Sequence, residues 1–193
     1  MTVGDTWHGE MVARHDMWTS DEAVSRLFAV HYRELVRLAV LILREDGAPE
    51  EVVQDAFVRL HTRWHRLLDP DKALAYLRAS VVNGCRSALR RRAVSDRYRR
   101  TVAVGEGGRL DRYIESSAEE ATIDRLTAGA LLEALRTLPI RQREAVVLRY
   151  YVDLSEAEMA ETMGCSRGAV KSHLSRGISA LRIRVSLNGW AKG

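Results

Sequence analysis

The sequence predicts an all-α protein made of two small helical domains, which are joined by a flexible linker, with a helix-turn-helix in the second domain. Three observations support this fold class. Apolar residues recur at helical spacing along most of the 193 residues, and capping residues precede several of these stretches. Only 3 prolines interrupt the chain, and 46% of its residues are hydrophobic, as a packed core requires. One charged stretch near the middle contains glycines and has no apolar period.

The first helix is expected to begin after Thr19. Thr19 and Glu22 have the spacing of a capping box, in which each side chain bonds to the backbone of the other residue. Gly47 interrupts the helix, and Pro49 suits the first turn of a second one. The apolar stripe of the first helix consists of Leu27, Val30, Leu35, Leu38 and Ile42.

The second helix is amphipathic. Its predicted buried stripe consists of Val52, Val53, Ala56, Leu60, Trp64 and Leu67, and Phe57, at the edge of this stripe, is expected in the core. The outward face is then formed by Gln54, Asp55, Val58, His61, Thr62 and His65.

Asp69 and Pro70 are the expected cap and first residue of a third helix, which runs to about Arg92. The residues expected to face inward are Leu77, Val81, Gly84 and Ala88. On the same spacing Asn83, Arg86 and Arg90 share the outer face.

Residues 101–118 contain three glycines and scattered charge, so we expect a flexible linker. A helix containing Leu131, Leu132, Leu135 and Leu138 then leads to Pro139, and another helix follows from about Ile140 to Tyr151. The expected division is an N-terminal tail (1–19), a first domain (20–98), the linker (99–125), a second domain (126–187) and a C-terminal tail (188–193).

The second domain ends in the pattern of a helix-turn-helix. Ser155 and Glu158 have capping-box spacing, Gly164 ends the short helix that follows, and Ser166 caps the next one. The buried stripe of that last helix is Val170, Leu174, Ile178 and Leu181. Its other face is predicted to carry Gly168, Ser172, Ser175, Arg176 and Ser179, with Lys171 and His173 on the flanks.

Small residues and a few hydrogen-bond donors suit close approach to a DNA groove. A two-helix hairpin with a solvated basic face is the alternative. The charge distribution favours a polyanion, because residues 75–100 hold eight arginines and one acid, and residues 166–184 hold five basic residues and no acid. Between these blocks, residues 101–125 hold six acids and three arginines.

Cys85 and Cys165, the only cysteines, each lie in a predicted helical region, which favours a reducing cytoplasm over a disulfide framework. No stretch reaches the ~18 consecutive apolar residues of a membrane span, and the N-terminus lacks an apolar signal core. We therefore expect a cytoplasmic protein without a membrane partner.

Four segments, in this order and with a linker before the last, give the chain its resemblance to a known family: residues 27–46, 52–64, 75–92 and 135–182. Together they resemble a bacterial RNA polymerase sigma factor of the sigma-70 family, and more narrowly the compact extracytoplasmic-function (ECF) group. The resemblance covers about residues 20–187. It implies a factor that binds core RNA polymerase and directs promoter recognition, promoter melting and transcription initiation, without catalysis or a cofactor of its own.

The resemblance assigns roles to particular residues. It implies docking on the clamp helices of the largest polymerase subunit through Gln54, Asp55, Val58 and Thr62. It implies recognition of the melted −10 element by Asn83 and the loop 67–73, with Arg86 and Arg90 on phosphates. It implies recognition of the −35 duplex by Arg167, Lys171, Ser172, Ser175 and Arg176.

The polymerase flap region and promoter DNA are further implied partners, and anti-sigma proteins are common in the family. Base preferences do not carry over, because the sequence departs from the usual family residues at Gly84, Ala169, Ser175 and Gly177.

Three other classes compete with this interpretation. A stand-alone repressor or activator would bind a duplex operator without polymerase, but two basic blocks joined by a linker suit it poorly. An enzyme with a metal site would use His61 and His65, an i, i+4 pair without an evident third ligand. A pure protein-interaction module would leave the paired basic helices without a role.

Overall fold

The computed structural model describes residues 19–43, 48–67, 69–99 and 121–187. The described parts of the chain form helices and 3₁₀ turns without a strand, which confirms the predicted fold class. The expected linker at residues 101–118, and both expected tails except Thr19, lie outside the described residues. The helices are α1 (Ser20–Ile42), α2 (Pro49–Arg63), α3 (Ala73–Arg99), α4 (Ala121–Arg136), α5 (Ile140–Tyr150), α6 (Glu156–Met163) and α7 (Arg167–Leu187).

Helices α1, α2 and α3 pack on one another as a three-helix bundle. The capping box at Thr19 forms as predicted, and so does the start of α2 at Pro49. Phe57 is buried, as expected, with Val53, Ala56 and Leu60 beside it on the inner face of α2. A 3₁₀ turn at Pro70–Lys72, capped by Asp69, precedes α3, so the α-helix itself starts three residues later than the sequence predicts.

Two further helix boundaries differ from the prediction. Helix α3 continues to Arg99, beyond the expected end near Arg92, because no glycine or proline interrupts the intervening residues. Helix α4 begins at Ala121, inside the stretch assigned to the linker. Ile123 and Leu126 there already lie at helical spacing, so the apolar period starts earlier than the leucine cluster suggests.

Helix α3 approaches α2 closely at Gly84. A Cβ atom at Gly84 would lie 2.7 Å from Cγ1 of Val52, closer than two carbon atoms can pack. Any larger residue at position 84 would therefore force the Val52 side chain or the helices to move.

Helices α5, α6 and α7 form the second bundle, with α4 against α7. Arg143 fixes the corner between α4 and α5, because its buried guanidinium donates to the carbonyl oxygens of Arg136 at 2.7 Å and Leu138 at 3.1 Å. The Arg136 carbonyl lies in the last turn of α4 and the Leu138 carbonyl lies just beyond it, where helical partners are missing. The same guanidinium also donates to the carbonyl of Ile42, at 2.6 Å, and so reaches the first bundle.

The two bundles pack against each other. Helix α3 contacts α6, and α1 contacts α4 and α5. Within the first bundle, Arg78 bonds Glu34 at 2.9 Å and ties α3 to α1. Hydrogen bonding to His31 and the nearby Arg78 guanidinium lower the pKa of Glu34 to about 2, against the opposing effect of burial. Among the described helices, none is long and apolar enough to cross a membrane.

We expect Gly177→Ala to destabilise the second bundle by about 1–3 kcal/mol, because overpacking a filled core forces side chains or backbone to move. A Cβ atom at Gly177 would lie 2.8 Å from Cγ2 of Val146 and 3.2 Å from the backbone oxygen of Gln142. Urea unfolding followed by circular dichroism measures the change.

Gly168→Ala is the matched control in the same helix, since the nearest atom to its Cβ would be the Ser166 hydroxyl at 3.9 Å. Gly168→Ala should be neutral or stabilising by up to about 1 kcal/mol through helix propensity. Equal unfolding midpoints for Gly177→Ala and Gly168→Ala would contradict the close approach of α7 to α5.

Candidate nucleic-acid interface

The turn between α6 and α7 has the geometry that the sequence predicts. Ser155 and Glu158 bond each other's backbone amides at 3.3 and 2.8 Å, and Glu158 has a lowered pKa because Ser155 donates to its carboxylate. Gly164 ends α6 in the left-handed conformation, at φ 61°, which favours glycine. The Ser166 hydroxyl then accepts from the amide of Ala169 at 3.2 Å and starts α7. The helix-turn-helix is thus confirmed in its local geometry.

Helix α7 presents an exposed polar face beside its buried side. Val170 is fully buried, and Leu174, Ile178 and Leu181 pack against the core. Arg167, Lys171, Ser175 and Arg176 are exposed and Ser172 is half-buried, so the structure places all five candidates on accessible parts of one helix. Lys171 lies 3.4 Å from the Glu156 carboxylate, in an exposed pair of the kind that adds little stability. The ammonium group of Lys171 can therefore exchange Glu156 for another anion at little cost in free energy.

The face of α3 is divided between solvent and the second bundle. Asn83 and Arg90 are exposed, and Arg90 donates to the Ser87 hydroxyl at 3.3 Å. Arg86 differs from the expected outer position, because its guanidinium is turned onto Glu144 of α5. The Nε and Nη2 atoms of Arg86 donate to the two carboxylate oxygens of Glu144 at 2.6 and 2.7 Å, and Nη1 donates to the Asn83 amide oxygen at 2.8 Å. Asn83 and Arg86 therefore form one polar unit at the junction of the bundles.

Glu144 is a functional candidate that was not among the residues predicted from the sequence. Its side chain is 0% exposed, and Arg141 adds a second cation at 3.3 Å. The signal is present in the sequence, since Glu144 occupies a position of the apolar stripe with Ile140, Val147 and Leu148. A charged residue at such a position requires a buried partner, and the partner lies in the other bundle.

Cys85 lies next to Arg86 in α3 and is fully buried. Burial first, and then the negative charge of Glu144, raise the pKa of the Cys85 thiol to about 12. The thiol is therefore protonated near neutral pH. The effect of Glu144 on its pKa acts across the junction between the bundles.

The outward face of α2 carries the four residues expected to dock a protein partner. Gln54, Asp55, Val58 and Thr62 are all exposed, and Val58 is 62% exposed. Asp55 pairs with Arg59 at 3.4 Å, and the Thr62 hydroxyl donates to the Arg59 carbonyl. Val58 is exposed, and the bonds that Asp55 and Thr62 make are to Arg59 of the same helix. This face of α2 therefore offers both apolar and polar groups to a partner.

An aromatic cluster not foreseen in the sequence lies beside α2. Phe28 is 40% exposed, with its ring centroid 5.1 Å from Phe57 and 4.4 Å from Tyr32. The signal would have been the helical spacing of Phe28 and Tyr32 in α1. Their rings extend the apolar surface of the first bundle to its edge.

His61, near the end of α2, and His65, in the 3₁₀ turn Trp64–Arg66 that follows α2, face the start of α1. His61 lies 2.6 Å from the Asp21 carboxylate, and His65 lies 3.5 Å from the Ser20 hydroxyl. In the part of the chain that the structure describes, no group of three or more His, Cys, Asp or Glu residues is placed to hold a metal. Both imidazoles therefore have a local role as partners of the α1 N-terminus.

Comparison with known families matches both bundles. The model of sigma-70 region 2 matches residues 27–94, and the model of sigma-70 region 4 matches residues 128–181. The RNA polymerase sigma-E factor of Streptomyces coelicolor is 30% identical over 148 residues, which cover 77% of this chain and 77% of that protein. The ECF RNA polymerase sigma factor SigM of Mycobacterium tuberculosis is 31% identical over 172 residues, which cover 88% of this chain and 80% of that protein.

Two solved structures share the fold. The sigma factor RpoE of Bartonella quintana, in complex with the anti-sigma factor NepR, matches with a TM-score of 0.68 at 20% identity, over 84% of this chain and 96% of RpoE. CnrH, in complex with the cytosolic domain of CnrY, matches with a TM-score of 0.61 at 22% identity, over 89% of this chain and 97% of CnrH.

Proposed function

Because the chain belongs to the sigma-70 family of RNA polymerase sigma factors, in its ECF group, we propose that its two helical bundles divide the reading of a promoter between them. The chain binds core RNA polymerase and promoter DNA and directs transcription initiation. The exposed basic face of α7 is the main support for this division of roles. Helix α7 lies in the segment that matches region 4, which follows the segment that matches region 2. The α7 face reads the −35 duplex, and the α3 face reads the melted −10 element.

For the −35 element, α7 enters the major groove with its N-terminal half. Arg176 is the base-reading residue, since it is exposed and a guanidinium can donate two hydrogen bonds to one guanine. Arg167, at the first turn of α7, binds phosphate together with the helix amides. Lys171, Ser172 and Ser175 complete this surface.

For the −10 element, Asn83 donates to and accepts from the edge of an unpaired base. Capture of a flipped base offsets the free energy of unstacking, a few kcal/mol, and so favours melting of the duplex. Arg90 and Arg86 hold the adjacent phosphates, and the loop 67–73 forms the other wall of the pocket. Asn83 and Arg90 are exposed in the structure, which supports their part of this assignment.

For the polymerase, the α2 face formed by Gln54, Asp55, Val58 and Thr62 docks on the clamp helices of the largest subunit, and the second bundle contacts the flap region. Sigma factors are non-catalytic subunits, and we infer that this chain has neither catalysis nor a cofactor of its own and acts in the cytoplasm. RpoE was solved with an anti-sigma factor, and we infer an inhibitor of that class for this chain as well.

Arg176→Ala is expected to lower the preference for a cognate −35 duplex over a scrambled one by roughly 5- to 150-fold, which corresponds to the 1–3 kcal/mol of a bidentate base contact. Holoenzyme is titrated with both duplexes at constant ionic strength, because binding to phosphate depends on salt.

Arg184→Ala is the matched control, since Arg184 is also an exposed arginine of α7 but lies two turns further from the helix start. This variant should weaken binding to both duplexes slightly and equally. An equal fall on both duplexes for Arg176→Ala would show that Arg176 contacts only phosphate.

A further inference from the structure

An ion pair joins the two helices of the helix-turn-helix beside the proposed DNA-reading face. The Nζ atom of Lys171 in α7 lies 3.4 Å from a carboxylate oxygen of Glu156, the first residue of α6. Both side chains face water, with exposed fractions of 66% for Lys171 and 45% for Glu156. The pair therefore brings an acid to a surface whose own segment, residues 166–184, holds five basic residues and no acid.

The capping box of α6 fixes the backbone that carries Glu156. Ser155 and Glu158 bond each other's backbone amides at 3.3 and 2.8 Å, and Glu156 follows Ser155 directly. An acid at a helix start also suits the positive end of the helix dipole, which explains the residue type. The contact of its carboxylate with a lysine of α7 is a separate observation. Because an exposed pair adds little to folding stability, the effect of this contact is expected at the DNA.

DNA offers the Lys171 ammonium two kinds of acceptor. Phosphate oxygens carry a negative charge, whereas the acceptors on a base edge, such as O6 and N7 of guanine, are neutral. An ammonium group has three N–H donors, so Lys171 can donate to a base edge and keep its contact with Glu156. A phosphate in the same place would bring a second negative charge close to the carboxylate and be repelled. Glu156 therefore disfavours the phosphate contact of Lys171 and leaves the base contact possible.

This difference affects selectivity, because phosphate contacts supply the affinity that all DNA sequences share. Each phosphate that a protein neutralises strengthens binding to any duplex and makes that binding more sensitive to salt. A repulsive element that removes one such contact weakens binding to the wrong sequences. The base contact is kept, so the ratio of cognate to non-specific affinity rises.

We propose that Glu156 is a specificity-determining residue of the −35 surface, which reserves Lys171 for a base edge by repelling phosphate. This inference rests on the proposed reading of the −35 duplex by α7. Glu156 touches no base in this arrangement and acts through Lys171, so it is a positioning residue. The acid on α6 and the lysine on α7 then work as one unit across the turn.

The test compares holoenzymes that carry the parent chain, Glu156→Gln, Lys171→Ala or both substitutions together. Glu156→Gln keeps the Ser155–Glu158 capping box and removes only an exposed charge. Glu161→Gln is the matched control, because it removes an exposed acid from the same helix. Affinity for a cognate −35 duplex and for a scrambled duplex is measured at several salt concentrations.

Glu156→Gln should bind the scrambled duplex roughly three- to tenfold more tightly at low salt, with near-parental affinity for the cognate duplex. Its preference for the cognate duplex should fall by the same factor. The slope of log affinity against log salt on the scrambled duplex should steepen by about 0.9, the value for one added phosphate contact. In the Lys171→Ala background the Glu156 substitution should change neither the slope nor the preference, and Glu161→Gln should match the parent.

A parental slope and a parental preference in Glu156→Gln would overturn the proposal. An equal gain in affinity with and without Lys171 would also overturn it, because Glu156 would then repel DNA without acting through the lysine. Failure of the proposed function is seen separately in the single variant Lys171→Ala. A parental preference in that variant would remove Lys171 from the −35 surface and overturn the role of Glu156 with it.

Discussion

Asp55→Arg is expected to weaken binding to core RNA polymerase by about 30-fold or more, equivalent to the 2 kcal/mol or greater loss typical of an interface hot spot. Asp55 lies at the centre of the exposed α2 face, next to Gln54 and one turn from Val58. Its own partner, Arg59, is exposed, so the pair adds little to folding stability. The substitution places a positive charge in the proposed interface without disturbing the core. Affinity is measured by competition with a labelled parent chain for core polymerase.

Glu161→Arg makes the same change of two charge units at an exposed site of the second bundle and should keep parental affinity. Full affinity of Asp55→Arg, with an unchanged circular dichroism spectrum, would mean that the clamp helices use another face. The aromatic edge around Phe28 and Tyr32 would then be the next candidate.

Asn83→Ala in the holoenzyme is expected to reduce open-complex formation roughly 5- to 150-fold, because a specific base contact is worth about 1–3 kcal/mol. Asn83 is exposed, so truncation leaves no cavity. The Arg86 guanidinium loses its bond to the Asn83 amide but keeps both bonds to Glu144. Permanganate reactivity of unpaired thymines, at polymerase concentrations that saturate the promoter, measures the melted fraction.

Polymerase affinity is the internal control for Asn83→Ala, since α3 lies apart from the proposed docking face of α2. Affinity should match that of the parent chain while melting falls. Parental melting at equal promoter occupancy would remove Asn83 from the −10 assignment and leave Arg90 as the remaining exposed candidate of the α3 face.

Local signals in the sequence predicted the elements that position the site. The capping boxes at Thr19 and Ser155 and the left-handed glycine at Gly164 depend on residues within one turn, so spacing alone locates them. The exposed faces of α2 and α7 follow from the helical period in the same way. These features needed no knowledge of the rest of the chain.

Contacts between distant residues were not predictable in this way. Arg86 and Glu144 lie 58 positions apart, and the helical period of α3 shows only that Arg86 points away from α2. Its burial depends on how the second bundle packs, which no local pattern specifies. Gly84 is a similar case. Its spacing predicts that it faces inward, but nothing in the sequence shows that Val52 lies within 3 Å of the position of a Cβ atom.

Reconstitution with bacterial core RNA polymerase, followed by run-off transcription on genomic fragments from the source organism, tests promoter recognition by two separate surfaces most directly. We expect discrete start sites preceded by two shared elements. Arg176→Ala should relax selection at the upstream element, and Asn83→Ala should impair melting at the downstream one. Absence of a polymerase complex, together with tight binding to a duplex operator by the free chain, would contradict a role in promoter recognition with polymerase and indicate a stand-alone regulator.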